Sequence, residues 1–403
     1  MSEIVEAKQS VIEPVPMEVF TQSRAAVLSA LFIAGFGTFV NLYVTQPLLP
    51  RFREIFRASE LLVSLTVSAP VLGAALAAPL VGLLADGVGR KRVIVAAMLI
   101  LSLPTALAAT AANLGPFIVW RFLQGLFIPG IITVAMAYIS EESPRRLVGS
   151  TMATYVTGTV VGGFAGRFIA GLCANGYGWR FTFVVLGVLT LACSFVTWRL
   201  LPRSRKFIRQ SGAAASVQSL WMHLRNPQLL ATYAIGFNVL FCLAGAFTYV
   251  NFYLADEPFG LGPAALGAVF TVYLIGAVVT PVGGVVLDRM GYRRTLTGAV
   301  GMVLVGVLLT LIASVPVIIT GLTLIATGVF ICQSAASSYV GKAAGKARSS
   351  AAGLYVAFYY LGGCIGSILP GFFWKQAGWV GCVAIICCMQ ALTALIARLL
   401  WKD

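Results

Sequence analysis

Apolar runs of about 20 residues recur along the chain, and that is the length a helix needs to cross the hydrocarbon core of a bilayer. The first six lie at 25–47, 61–85, 93–112, 115–140, 148–174 and 179–201. After a polar stretch, six more follow at 229–255, 263–287, 295–314, 316–340, 349–374 and 378–400. Lipid offers backbone groups no water to bond, so only helices and closed barrels can span it. These runs are too long for barrel strands and lack their alternation. The sequence therefore predicts an all-α membrane protein with twelve transmembrane helices. Composition excludes the soluble alternative: 59% of residues are hydrophobic and 10% charged, against roughly a quarter charged in soluble domains.

A net charge of +15 could suggest an acidic partner, but the basic residues sit in short clusters between runs. Alternate connections hold Arg90-Lys91-Arg92, Arg145-Arg146, Arg203 to Arg209, Arg289 to Arg294 and Lys342 to Arg348. The opposite connections hold only Arg51, Arg53, Arg57, Arg180 and Lys375. Such asymmetry is a topology signal, so nucleic acid is not an expected partner. It predicts a multi-pass inner-membrane protein with both termini cytoplasmic. Residues 1–20 are polar and proline-containing, and are expected to form a disordered cytoplasmic tail rather than a cleaved leader. The bundles are expected at 21–201 and 229–403, joined by a cytoplasmic linker at 202–228. Within it Val217, Leu220, Trp221 and Leu224 form an i, i+3, i+4, i+7 stripe suited to a helix lying on the membrane surface.

An internal repeat constrains the architecture further. Gly82-x-x-x-Asp86-x-x-Gly89-Arg90-Lys91-Arg92 returns as Gly284-x-x-x-Asp288-x-x-Gly291-Tyr292-Arg293-Arg294, and Pro79 returns as Pro281. Gly149, Gly158 and Gly162 return as Gly353, Gly362 and Gly366, and Gly125 as Gly328. The halves are parallel duplicates, which predicts two pseudo-symmetric six-helix bundles with any ligand site near the midplane between them.

The eight cysteines, at 173, 193, 242, 332, 364, 382, 387 and 388, lie in or beside apolar runs without CxxC spacing. His223 is the single histidine. They are expected to pack rather than bind metal or form a disulfide framework. No phosphate-binding loop or defensible nucleophile–base pair is present, so no cofactor, no catalytic residue and no enzyme activity is expected.

The duplicated loop resembles the signature of the major facilitator superfamily, and the resemblance extends over essentially the whole chain. It implies rocker-switch alternating access for a small-molecule substrate. The loop would act as a conformational latch formed by Gly82, Asp86, Gly89 and Arg90, with Gly284, Asp288 and Arg293 as the second copy. Glycine permits close helix approach, and a carboxylate near a helix end can bond backbone N–H groups and arginine. Trp120-Arg121-x-x-Gln124-Gly125 resembles the arginine-bearing fourth helix of the family. The run Gly149-x8-Gly158-x3-Gly162-Gly163-x2-Gly166-Arg167 resembles the glycine motif of its exporters. It departs from that motif with Gly163 where proline is expected and Arg167 where a closing glycine is expected. Arg167 to Gly171, followed by Trp179-Arg180, looks like the acriflavine-sensitivity branch.

A charge inside a membrane is costly unless it faces a cavity or a partner. Arg121 and Arg167 fall at similar depth, and no carboxylate lies midway along any run. Asp86, Asp288, Glu141 and Glu142 sit at cytoplasmic ends; Glu54, Glu60, Asp256 and Glu257 sit at the outer ends. Either an anionic substrate answers the two arginines, or carbonyls and water do, or Arg167 snorkels to the interface. The candidate substrate-binding set is Asn41, Tyr43, Gln46, Arg121, Gln124, Arg167, Tyr249, Asn251, Gln333, Tyr355 and Tyr359. Tyrosine offers both an apolar face and a hydroxyl to an amphipathic solute.

Proton-coupled efflux of drugs or metabolites is the expectation that the resemblance implies. Protons as coupling ion are not supported independently, since no mid-membrane carboxylate is available to titrate. Movement of a small organic anion, such as a sugar acid or other carboxylate, by symport, uniport or exchange is the alternative. A lipid or lysolipid flippase and a non-transporting receptor remain as minor readings. Nothing demands more than a monomer in the bilayer.

Overall fold

The computed structural model describes residues 23–204, 222–275, 278, 287, 289–344 and 348–401. These residues are predominantly helical, with no strand among them. The first bundle contains α1 Arg24–Leu42, α2 Leu49–Phe56, α3 Glu60–Val88, α4 Arg90–Leu107, α5 Leu114–Glu142, α6 Val148–Gly176 and α7 Trp179–Leu200. The second contains α8 Pro227–Ala255, α9 Pro263–Val269, α10 Tyr292–Leu309, α11 Val315–Ala343, α12 Arg348–Ile368 and α13 Pro370–Leu400. Eleven stretches among the described residues are long and apolar enough to cross a membrane. The twelfth expected span begins in α9, and much of its remainder lies outside the described residues, as do the N-terminal tail and most of the linker with its stripe.

Helix ends follow local chemistry. Asn226 caps α8 by accepting from the backbone N–H groups of Gln228 and Leu229, with Pro227 at the first helical position, where its missing N–H costs nothing. The first span does not run unbroken from 25 to 47 as the sequence suggests. α1 stops at Leu42, a short turn holds Gln46–Leu48, and α2 ends at Arg57 in a left-handed conformation. Pro47 and Pro50 lack an N–H and favour helix starts rather than interiors. At the other end of the chain α12 stops before Pro370, and α13 folds back at Ala377 and Gly378, whose φ of +57° suits glycine.

Both copies of the repeated loop turn in the same way. Gly89 (φ +97°) precedes α4 and Gly291 (φ +79°) precedes α10, a conformation that other residues adopt only with strain. Arg90 is buried and pairs with Glu141 at the end of α5, at 2.8 and 3.2 Å. Arg293 donates to the carbonyl of Arg398. Gly82 and Asp86 lie in α3, but the side chains there are outside the described residues, as are Gly284 and Asp288.

The bundles share one packing device. On α6, a Cβ at Gly158, Gly162 or Gly166 would strike the backbone of Phe32, Phe36 or Val40 of α1 respectively. Steps of four on both helices mean that the two run in parallel with their backbones touching. In the second bundle, Gly362 and Gly366 of α12 meet Phe237 and Phe241 of α8 in the same way. There the next position is Pro370, and the small residue has moved across to Gly245, whose Cβ would stand 3.2 Å from the proline ring. Between bundles, α3 runs along α12, where a Cβ on Gly363 would lie 3.4 Å from Val71.

Candidate functional site

A cavity of about 700 Å³ lies between the bundles. Its wall is built from α1, α6, α8, α11 and α12, with Tyr273 following α9. Side chains such as Phe39, Leu240, Leu243 and Phe330 make it largely apolar, and Gln333, Ser334 and Ser337 add neutral polar groups. Gly149, Ala153 and Ser337 are exposed, whereas Arg167 is 2% exposed. The cavity therefore opens at the end of the molecule that carries the basic clusters and closes at Arg167.

Arg167 donates from Nε to Gln46 Oε1 at 2.7 Å and from Nη1 to the Gly163 carbonyl at 2.6 Å. Its guanidinium carbon lies over three rings: Tyr43 at 4.9 Å, Phe270 at 4.6 Å and Tyr273 at 4.8 Å. Gln46 Nε2 in turn donates to Thr248 Oγ1 of the other bundle at 3.3 Å.

Beyond Arg167 the bundles close on each other. A Cβ at Gly267 would lie 2.8 Å from the Arg167 carbonyl, and Gly171 stands against the backbone of Pro263. Tyr249 donates to the Ser367 carbonyl at 3.1 Å and lies 3.4 Å from Ser64 Oγ of the first bundle. Farther out, Arg53 of α2 binds Asp256 through both carboxylate oxygens, at 2.6 and 3.2 Å, and Glu60 at 3.1 Å.

The residues singled out in the sequence divide into three groups. Tyr43, Arg167, Gln333 and Tyr359 line the cavity. Tyr355 stands behind Gln333 and donates to it at 2.7 Å, while Gln46 and Tyr249 hold the closed end. Asn41, Arg121 and Gln124 do not reach the wall. They form a sealed polar core within the first bundle, and Asn251 bonds the Phe247 carbonyl of its own helix at 2.6 Å. Arg121 donates to the carbonyls of Thr66 (3.0 Å), Asn41 (2.8 Å) and Leu42 (2.6 Å), and to Gln124 Oε1. Gln124 reaches Thr105 at 2.9 Å, and Asn41 bonds both Thr105 (3.2 Å) and Thr190 (2.9 Å). The carbonyls of Asn41 and Leu42 belong to the last turn of α1, so the guanidinium caps that helix at its negative end. Sequence reasoning passed over Tyr273 and Phe270; their one signal was aromatic spacing of i, i+3 within an apolar run.

Among the described residues, no group of three or more His, Cys, Asp or Glu is arranged to hold a metal ion. The sequence matches the Major Facilitator Superfamily over residues 31–367 and again over 254–403. It is 32% identical to the inner membrane transport protein YnfM of Escherichia coli K12, over 98% of this chain and 95% of that protein. It is 31% identical to an uncharacterized transporter of Buchnera aphidicola from Schizaphis graminum, over 95% and 93% of the two chains. Among solved structures, a bacterial homolog of the human lysosomal transporter Spinster, inward-facing and occupied, superposes with a TM-score of 0.77. The match covers 94% of this chain and 97% of that one at 16% identity, a likeness of fold.

Proposed function

The chain belongs to the Major Facilitator Superfamily and is a multi-pass membrane transporter rather than an enzyme; from that premise we propose that it carries small, partly apolar organic molecules across the inner membrane by rocking its two bundles about the central cavity. The observation that carries this reading is a 700 Å³ chamber between the halves, open at one end and closed at the other by bonds that cross from half to half. A chamber of that size suits a drug-sized solute. The open end carries the basic clusters, which the positive-inside rule assigns to the cytoplasm, so cargo enters here from the cytoplasmic side. The bonds around Arg53, Gln46 and Tyr249 form the outer seal, and breaking them while the mouth closes would complete the exchange. Both termini are then cytoplasmic and a monomer suffices.

Export is the direction implied by the resemblance to family exporters, with protons as the coupling ion. The cavity wall offers no carboxylate among the described residues, so a coupling proton would have to be carried away from the cargo. The test is reconstitution into liposomes loaded with a mixture of small organic acids, amides and amines, followed by mass spectrometry of what leaves. The control is Ser334→Trp, which fills the chamber. Solutes that leave faster through the wild type than through the filled variant support the reading; equal leakage from both overturns it.

A further inference from the structure

We propose that Arg167 is the docking point for one negative charge on the cargo, so that the solutes carried are amphipathic organic monoanions with the acid group at the closed end and an apolar body along the chamber. This rests on the transport reading above and adds the charge and polarity of the substrate to it.

The inference comes from comparing the two buried arginines. A guanidinium carries five N–H donors in a fixed fork. Around Arg121 the fork is answered internally by three carbonyls and Gln124, and that residue is sealed from the cavity. Arg167 is as deeply buried, yet only two hydrogen bonds engage it, one to Gln46 and one to Gly163. No carboxylate pairs with it among the described residues, and it forms part of the chamber wall. An unanswered charge at this depth is costly. The three ring faces offset part of that cost, since a cation over an aromatic face is attracted by the ring quadrupole. Rings act through their faces and fill none of the donors, so they fix the plane of the guanidinium while its remaining N–H groups stay available to a planar acid.

The rest of the wall limits the cargo to one charge. The other residues lining the chamber are apolar or neutral, so a second carboxylate would have to be buried without a cation. Tyr43 and Tyr273 flank the same end and can add hydroxyl donors. The competing role for Arg167 is that of a brace, since its rings come from both bundles and Gln46 ties it to Thr248. A brace would hold the protein together without sensing the charge of the cargo.

Three probes of one shape separate these roles: phenylbutyrate, phenylbutyramide and phenylbutylamine, which carry negative, zero and positive charge. Their affinities for the purified full chain are measured by calorimetric titration. Phenylbutyrate is expected to bind at least about tenfold more tightly than the amide, as a charge-assisted bond gained over a neutral one requires. Arg167→Gln removes that advantage while the amide still binds, and Arg167→Lys restores part of it. An amide or amine that binds as tightly as the acid to the wild type overturns the proposal, as does an advantage that persists in Arg167→Gln, or no binding at all. The wild-type comparison decides the matter even where the variant fails to fold. Ser334→Trp separates the two readings. Amide binding that it abolishes, without any preference for the acid, leaves the chamber as the cargo site and refutes only its anion selectivity; probes that all bind regardless of it refute both.

Discussion

Replacing Arg53 with glutamine tests whether the outer seal holds the chamber open at its other end. Arg53 and Glu60 belong to the first bundle, whereas Asp256 and Phe252, over whose ring the Arg53 guanidinium lies at 5.9 Å, belong to the second, so of the two ion pairs it is the one with Asp256 that must break when the outer end opens. That pair is bidentate at 2.6 and 3.2 Å, and its partners are 27% and 43% exposed. Solvent-exposed ion pairs contribute about 0.2–1 kcal/mol, with good bidentate geometry toward the upper end. A loss of about 1 kcal/mol changes the ratio of the two states about fivefold. The assay is the distance between nitroxides on unnatural side chains at Gly149 and Ser337, which face the chamber mouth from opposite bundles. Thiol labels are unsuitable because Cys388 is exposed. Arg53→Gln should raise the short-distance, closed-mouth population about fivefold. Asp256→Asn should act alike, whereas Glu60→Gln should do much less because its contact lies within one bundle. An unmoved distance distribution in both Arg53→Gln and Asp256→Asn would show that the seal resides elsewhere, and an equal effect of Glu60→Gln would refute the reasoning about which contact crosses.

Two further outcomes follow from packing. Gly162→Ala drives a Cβ into the Phe36 carbonyl oxygen of α1 and to 2.7 and 2.9 Å from that residue's Cα and carbonyl carbon, an overpacking expected to cost about 1–3 kcal/mol and to lower the melting temperature; Gly149→Ala, with nothing within 4 Å, should leave it unchanged or raise it slightly. Arg121→Leu removes the guanidinium donors from the carbonyls of Asn41 and Leu42 and leaves that of Thr66 with only Thr45 Oγ1 at 3.4 Å; at about 1–3 kcal/mol for each group left unsatisfied it should abolish stable folding, read as loss of a monodisperse peak. Arg121→Lys should recover only part of this, because an ammonium cannot reproduce the fork.

The spans were legible in the sequence because bilayer thickness sets a length that composition must meet, and the turns at Gly89 and Gly291 were legible because glycine repeats where φ is positive. The break after Leu42 was less so: part of its cause, the capping of α1, comes from Arg121, about eighty residues away, measured by the spacing of the bonded pair. The glycines of α6 showed their spacing but not their partner, since what they touch is backbone. Register across the repeat was also hidden. Packing pairs Phe32 and Phe36 of α1 with Phe237 and Phe241 of α8, a correspondence that the repeated glycines alone do not give. The two arginines looked equivalent in sequence because each was surrounded by apolar letters. Their difference lies in which carbonyls and rings the fold brings near, and Tyr273, set within an apolar run, carried only its spacing from Phe270 as a mark of its place beside Arg167.

The exchange of small residues between Gly166 and Gly245 bears on how the two halves could diverge. Val40 faces Gly166 in one bundle, and Gly245 faces Pro370 in the other. Converting the second arrangement into the first takes two substitutions, and their order changes the cost of the intermediate. Losing the proline ring first leaves two small residues in contact, a gap that neighbouring side chains can partly close. Enlarging Gly245 first crowds a side chain against the ring 3.2 Å away, a contact that prior loss of the proline would have removed. The first intermediate is the milder of the two, so the duplicated halves could drift apart at this position more readily in that order, and a helix transplanted alone from one half into the other would arrive without its matching substitution.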